Sequence, residues 1–222
     1  MATLLNSKEI EMPQAVLPPI EIIPKYIPYE EFLEIPEQEG MIAEWVQGEV
    51  IYMSVGLTHK RVSHFLLRVV SEYVERNQLG EVFYEPFQMK TGLDLPGRSP
   101  DIFFVANKNL TRVHENYLEG PADLVVEVIS PESVGRDRGA KYVEYEIGGV
   151  GEYWLIDPIR CASDFYQRGD DGYFRPVLPD KRDIYFSREL SGFWFKPEWL
   201  WQNPFPTLES ISQQWKKRKN QI

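Results

Sequence analysis

The chain has 222 residues, 43% hydrophobic and 14% aromatic, which is ample for a real core in one medium domain. A formal net charge of −10 argues against broad, charge-driven coating of nucleic acid, though not against a locally basic cleft. A single cysteine, Cys161, excludes an intrachain disulfide framework and a multi-cysteine zinc knot. The opening MATLLNSKEIEMPQ meets acidic residues too early for a signal peptide, and no apolar run approaches the ~18 residues that span a bilayer. The expectation is a cytoplasmic protein with no membrane partner.

Residues 1–25 contain Pro13, Pro18, Pro19 and Pro24 without a helical period, and read as an extended N-terminal arm. Residues 29–35 predict one or two helical turns, stopped by Pro36. AEWVQGEVIYM predicts two short strands, 44–46 and 49–53, around a tight turn at Gln47-Gly48. The clearest helix spans 58–78: Val62, Phe65, Leu66, Val69, Val70, Tyr73 and Val74 form one apolar stripe at the helical period. Thr58 is its expected N-cap and Gly80 its expected stop. Strands follow at 81–91, 101–105 and 123–129. A second helix at 138–147 ends on Gly148-Gly149 and leads to a strand at 152–157, closed by Pro158. The order is α-β-β-β-α-β.

Beyond that core, strands 163–167 and 173–177 flank Gly169-Asp170-Asp171-Gly172 as a hairpin. Trp194, Trp199, Trp201 and Trp215 predict further strands and a helix packed on the core. Residues 26–215 therefore read as one domain, and 216–222, which include Lys216, Lys217, Arg218 and Lys219, as a basic C-terminal tail.

Two carboxylates stand against strongly apolar strands, Asp101 in SPDIFFV and Glu127 in DLVVEVISPES. An acid within such a run is costly unless it is paired or binds a metal. Strand alternation puts Asp123, Val125, Glu127 and Ile129 on one face. If the strands 101–105 and 123–129 are antiparallel neighbours, the start of one lies beside the end of the other and the two acids converge. Lys141 sits in the first turn of the second helix, close to the same end of the sheet. Two acids and a lysine suit a magnesium-dependent phosphodiesterase. The ion takes one or two protein carboxylates, and the lysine orients or deprotonates the attacking water. On residues alone, Asp101 also reads as a turn cap ahead of its strand, and Lys141 as an exposed helix lysine. His64 and His114 have no partners at ligand spacing, so zinc is not expected.

Pro100-Asp101, with an acid in an apolar strand farther on, resembles the PD-(D/E)XK nuclease superfamily and its αβββαβ core. More narrowly, SPDIFFV, DLVVEVISPES, AKYVEY and GVGEYWLIDP resemble the Uma-type family of putative bacterial restriction endonucleases, over roughly 29–177. The resemblance implies an α+β, restriction-endonuclease-like fold with a central mixed sheet and additional N- and C-terminal strands. It implies Asp101 and Glu127 as ligands of Mg2+, with Mn2+ substituting, and double-stranded DNA cleaved by a homodimer. Glu127-Val128-Ile129 has isoleucine where the superfamily lysine belongs, and the resemblance moves that role to Lys141. It adds Glu44, ahead of the glycine turn, and His59, at the start of the long helix, as further catalytic positions. The alternative is a non-catalytic binding or assembly protein that keeps the fold.

Overall fold

In chain order, helix α1 (Tyr29–Leu33) precedes strands β1 (Ile42–Val46) and β2 (Glu49–Met53) and the long helix α2 (Leu57–Asn77). Strands β3 (Gly80–Tyr84), β4 (Gln88–Lys90), β5 (Gly97–Arg98) and β6 (Ile102–Ala106) follow, then a 3-10 segment (Asn107–Arg112), β7 (Tyr117–Glu119) and β8 (Leu124–Val128). A π-helical stretch (Arg136–Ala140) runs into α3 (Lys141–Gly148), followed by β9 (Glu152–Asp157), β10 (Ala162–Arg168) and β11 (Phe174–Pro176). The chain closes with β12 (Tyr185–Phe186), β13 (Trp194–Phe195), a 3-10 segment (Pro197–Trp201) and α4 (Leu208–Lys219). The structure is a computed structural model that describes residues 26–131 and 133–219. The expected arm at 1–25 lies outside the described residues.

A six-stranded sheet, β11-β10-β9-β8-β6-β3, forms the centre, mixed because β8 and β9 run parallel while their neighbours are antiparallel. A five-stranded sheet, β2-β1-β5-β4-β7, lies beside it. Thus α2, β3, β6, β8, α3 and β9 supply the expected α-β-β-β-α-β core, and the fold is α+β.

Alternation divides the core into two layers. Ile102, Phe104, Leu124, Val126, Val128, Trp154 and Ile156 point to one face, where the apolar stripe of α2 covers them together with Phe193, Phe195 and Trp215. The opposite-parity residues Phe103, Val105, Val125, Tyr153 and Leu155 pack with Tyr145 of α3 and with Met89 and Leu118. Glu127 has this second parity, so it faces α3. Leu66 is fully buried at the centre of the α2 stripe, and truncating such a residue to alanine costs about 2–5 kcal/mol.

Several boundaries differ from the sequence expectation. Gly56, not Thr58, occupies the N-cap of α2. Gln78, with φ 52°, makes its left-handed C-cap. Gly80 serves a different need: a Cβ there would lie 2.0 Å from the carbonyl oxygen of Val105, so β3 can approach β6 only through glycine. The expected strand at 81–91 is two strands in two sheets, because the chain turns at 85–87, where Phe87 N–H donates to the Tyr84 carbonyl. The basic residues Lys216–Arg218 continue α4 rather than leaving it. Arg218 lies over the rings of Phe186 and Trp194, at 4.7 and 5.4 Å. Residues 220–222 lie outside the described residues. No helix among the described residues is long and apolar enough to cross a membrane.

Candidate active site

Ile102 pairs with Val126 across the antiparallel β6–β8 ladder, which sets Asp101 beside the end of β8. There Asp101 Oδ2 accepts the Val128 backbone N–H at 2.5 Å. His59, in the first turn of α2, brings Nε2 to 3.1 and 3.2 Å from the two Asp101 oxygens. Burial disfavours the charged imidazole, but the hydrogen bond and charge of Asp101 outweigh it and hold the His59 pKa above its ordinary value.

Glu127 is 3% exposed. Its Oε1 accepts from Lys141 Nζ at 3.0 Å and from the Tyr145 hydroxyl at 2.6 Å. Lys141 Nζ lies also 3.0 Å from Glu44 Oε1 and 3.4 Å from Asp137 Oδ1, so three buried carboxylates surround one ammonium. Burial opposes its charge, yet Glu127, Glu44, Asp137 and Asp101 together keep the Lys141 pKa well above its usual value. The acids divide unequally. Burial, the largest cause, pushes Glu127 and Asp137 upward; Lys141 opposes it for both, and the neighbouring acids add to the rise. Burial also opposes ionisation of Glu44, but Lys141 and Arg98 prevail and hold it below the usual carboxylate range.

Arg98, in β5, completes the cluster from the second sheet. Its Nη1 donates to Glu44 Oε2 at 2.8 Å, while Nε and Nη2 form a bidentate pair with Glu144 of α3, each at 2.8 Å. A continuous chain of charges therefore runs Glu144–Arg98–Glu44–Lys141–Glu127. The single π-helical turn that immediately precedes Lys141 is of a kind frequent at functional sites.

The structure brings all five sequence-predicted residues together, in two different situations. Asp101, Glu127, Lys141 and His59 line a cleft of about 260 Å³, together with Glu85 and Asp137. Glu44 is fully buried and lies behind Lys141, not on the cleft wall. A larger hollow of about 450 Å³ shares Tyr52 and Glu85 with this cleft but carries none of the four. Sequence reasoning missed Asp137, Tyr145, Arg98 and Glu144. Asp137 and Tyr145 stand four residues before and after Lys141, a helical spacing that marks one face. Arg98 sits in GLDLPGRSP, which has no period to expose its partner.

The cleft offers hard carboxylate oxygens in excess of positive charge, donors that suit a divalent cation. Among the described residues, no group of three or more His, Cys, Asp or Glu side chains is arranged to hold an ion by itself.

The sequence profile of the Uma2 family, described as "Putative restriction endonuclease", matches residues 29–198, and the chain belongs to that family. Its fold is similar to the crystal structure of a putative nuclease belonging to DUF820 from Anabaena variabilis ATCC 29413. That likeness has a TM-score of 0.62 and 20% identity, and covers 77% of this chain and 95% of the other. No curated protein matches the chain.

Proposed function

We propose that this protein is a magnesium-dependent endonuclease hydrolysing phosphodiester bonds of DNA, with Asp101 and Glu127 holding the ion and Lys141 beside the attacking water. One observation carries the reading: an acid just ahead of β6, an acid within β8 and a buried lysine meet at one cleft wall, with a surplus of carboxylates around a single ammonium. An ion held by two carboxylates and otherwise by water is the usual arrangement for magnesium, and manganese takes the same oxygen ligands. Bound there, the metal would supply Lewis-acid stabilisation of the phosphoryl group and a more acidic water.

The chain's own residues have separable tasks. Four acids hold the Lys141 pKa up, which suits the ammonium to orient a water or a phosphate oxygen. Tyr145 and Lys141 both bind Oε1 of Glu127 and so fix the rotation of its carboxylate. His59 steadies Asp101 from the α2 side. Glu44 and Arg98 position the lysine from behind.

A non-catalytic binding protein is the second reading, favoured by one feature: the Lys141 ammonium already lies within 3.4 Å of three carboxylates of its own chain. Nicking of supercoiled plasmid at low salt separates the two. Wild type is expected to nick with magnesium or manganese and to stop with EDTA, and Glu127→Ala to be inactive under all three conditions. Wild type that leaves the plasmid intact with either metal favours the binding protein.

A further inference from the structure

Arg136 lies on the wall of the same cleft, one residue before Asp137. Its position contrasts with that of the other cations nearby. Arg98 is taken by Glu44 and Glu144, and Lys141 by Glu127, Glu44 and Asp137. Arg138 is taken by Asp157 and Asp164, and Lys60 by Glu85. Among the described residues, the Arg136 guanidinium has a single contact, Nη2 to the Met53 sulfur at 2.8 Å. Its buried Nε has no hydrogen-bond partner among them.

A thioether is a weak acceptor, and a guanidinium carries five donors in a planar fork. Leaving such a group half-buried and nearly unpaired is costly, the more so when Glu85, Asp101, Glu127 and Asp137 line the same cleft and none of them pairs with it. The fork is thus held on the wall with donors to spare. It is matched to an acceptor that arrives from outside, and an anionic phosphate oxygen fits its geometry best. The Met53 contact braces the side chain from the end of β2.

We infer that Arg136 is a phosphate anchor that binds a phosphodiester oxygen of the DNA strand lying in the cleft. This rests on the endonuclease reading and adds to it the residue that holds the backbone beside the two acids. Asp101 and Glu127 repel a polyanion, so a cation free of internal partners is needed where the strand enters.

The test measures fluorescence anisotropy of a labelled DNA duplex across a salt series in calcium, a hard cation with the same oxygen preference. Plasmid nicking in magnesium is run alongside. Wild type is compared with Arg136→Gln, Arg136→Lys and the exposed control Arg160→Gln. Removing one phosphate contact is expected to lower the magnitude of the salt slope by about 1. Loss of one charge-assisted pair is expected to weaken binding about tenfold in Arg136→Gln. Arg136→Lys should keep the slope but recover only part of the affinity, because it restores the charge without the fork. Arg160→Gln should match wild type. Thermal melts accompany each variant. If the glutamine variant melts early, the lysine variant decides, and its expected signature is weaker binding at unchanged slope. Wild type that binds and nicks, with both Arg136 variants equal to it in slope and affinity, overturns the anchor and leaves the endonuclease reading intact. Wild type that neither binds nor nicks DNA removes both.

Discussion

The ammonium of Lys141 and the carboxylate of Glu127 meet at 3.0 Å with both side chains almost wholly buried. Glu127 comes from the central sheet and Lys141 from the helix that covers it, so their contact records how α3 seats on β8. Breaking such a pair from one side leaves uncompensated charge in the interior, typically a loss of about 3–5 kcal/mol. Lys141→Met is therefore expected to lower stability on that scale in chemical denaturation and to abolish nicking at temperatures where it remains folded. A variant as stable as wild type would show that the three acids tolerate the loss, most simply by taking up protons.

Metal response gives an independent reading of the same cluster. An ion that binds only the folded state raises the melting temperature by mass action, by about 2.7 kcal/mol at a hundredfold excess over Kd. Wild type should melt higher in magnesium or manganese than in EDTA. Unlike Lys141→Met, Glu127→Gln leaves the ammonium paired with Glu44 and Asp137 and relieves repulsion among the acids, so in EDTA it should melt at or above wild type, while its response to metal is reduced. Should the glutamine variant melt well below wild type in EDTA, and wild type ignore metal, Glu127 is a structural acid.

Arg98 is expected to act through Glu44 on the placement of Lys141. Arg98→Met leaves Glu44 and Glu144 without their shared partner, at a cost of about 3–5 kcal/mol. In the folded variant, kcat for DNA cleavage should fall while KM changes little, since Arg98 does not line the cleft. A rise in KM with kcat little changed would place Arg98 in substrate binding.

A fourth expectation concerns the far end of the sheet. Burial, reinforced by Asp123 and Glu152, raises the Glu189 pKa. A raised carboxyl pKa means the folded state binds its proton more tightly than the unfolded chain. Its contribution is thus favourable in acid and turns unfavourable as pH rises through the folded pKa. Glu189→Gln should be more stable than wild type at neutral pH, with the difference shrinking as pH falls through the raised pKa and gone below the ordinary glutamate range. Denaturation curves at several pH values decide it, and a gain that grows in acid would be the wrong sign.

Local patterns sufficed for part of this protein. The apolar stripe of α2, the runs of β8 and β9 and the Gln47-Gly48 turn follow from periodicity and turn chemistry, which act over a few residues. Strand alternation, with antiparallel pairing of β6 and β8 as its condition, was enough to bring Asp101 to Glu127. The division of 81–91 between two sheets was not legible, because it depends on which partner each half finds. Nor was the chain Glu144–Arg98–Glu44–Lys141: Arg98 stands 54 residues from Glu44 in sequence and 46 from Glu144. A charge in a sequence gives no indication of its counter-charge when the two lie tens of residues apart on separate elements. Only tertiary packing, by burying them where unpaired charge is intolerable, selects which acids close on Lys141 and leaves Arg136 with donors to spare.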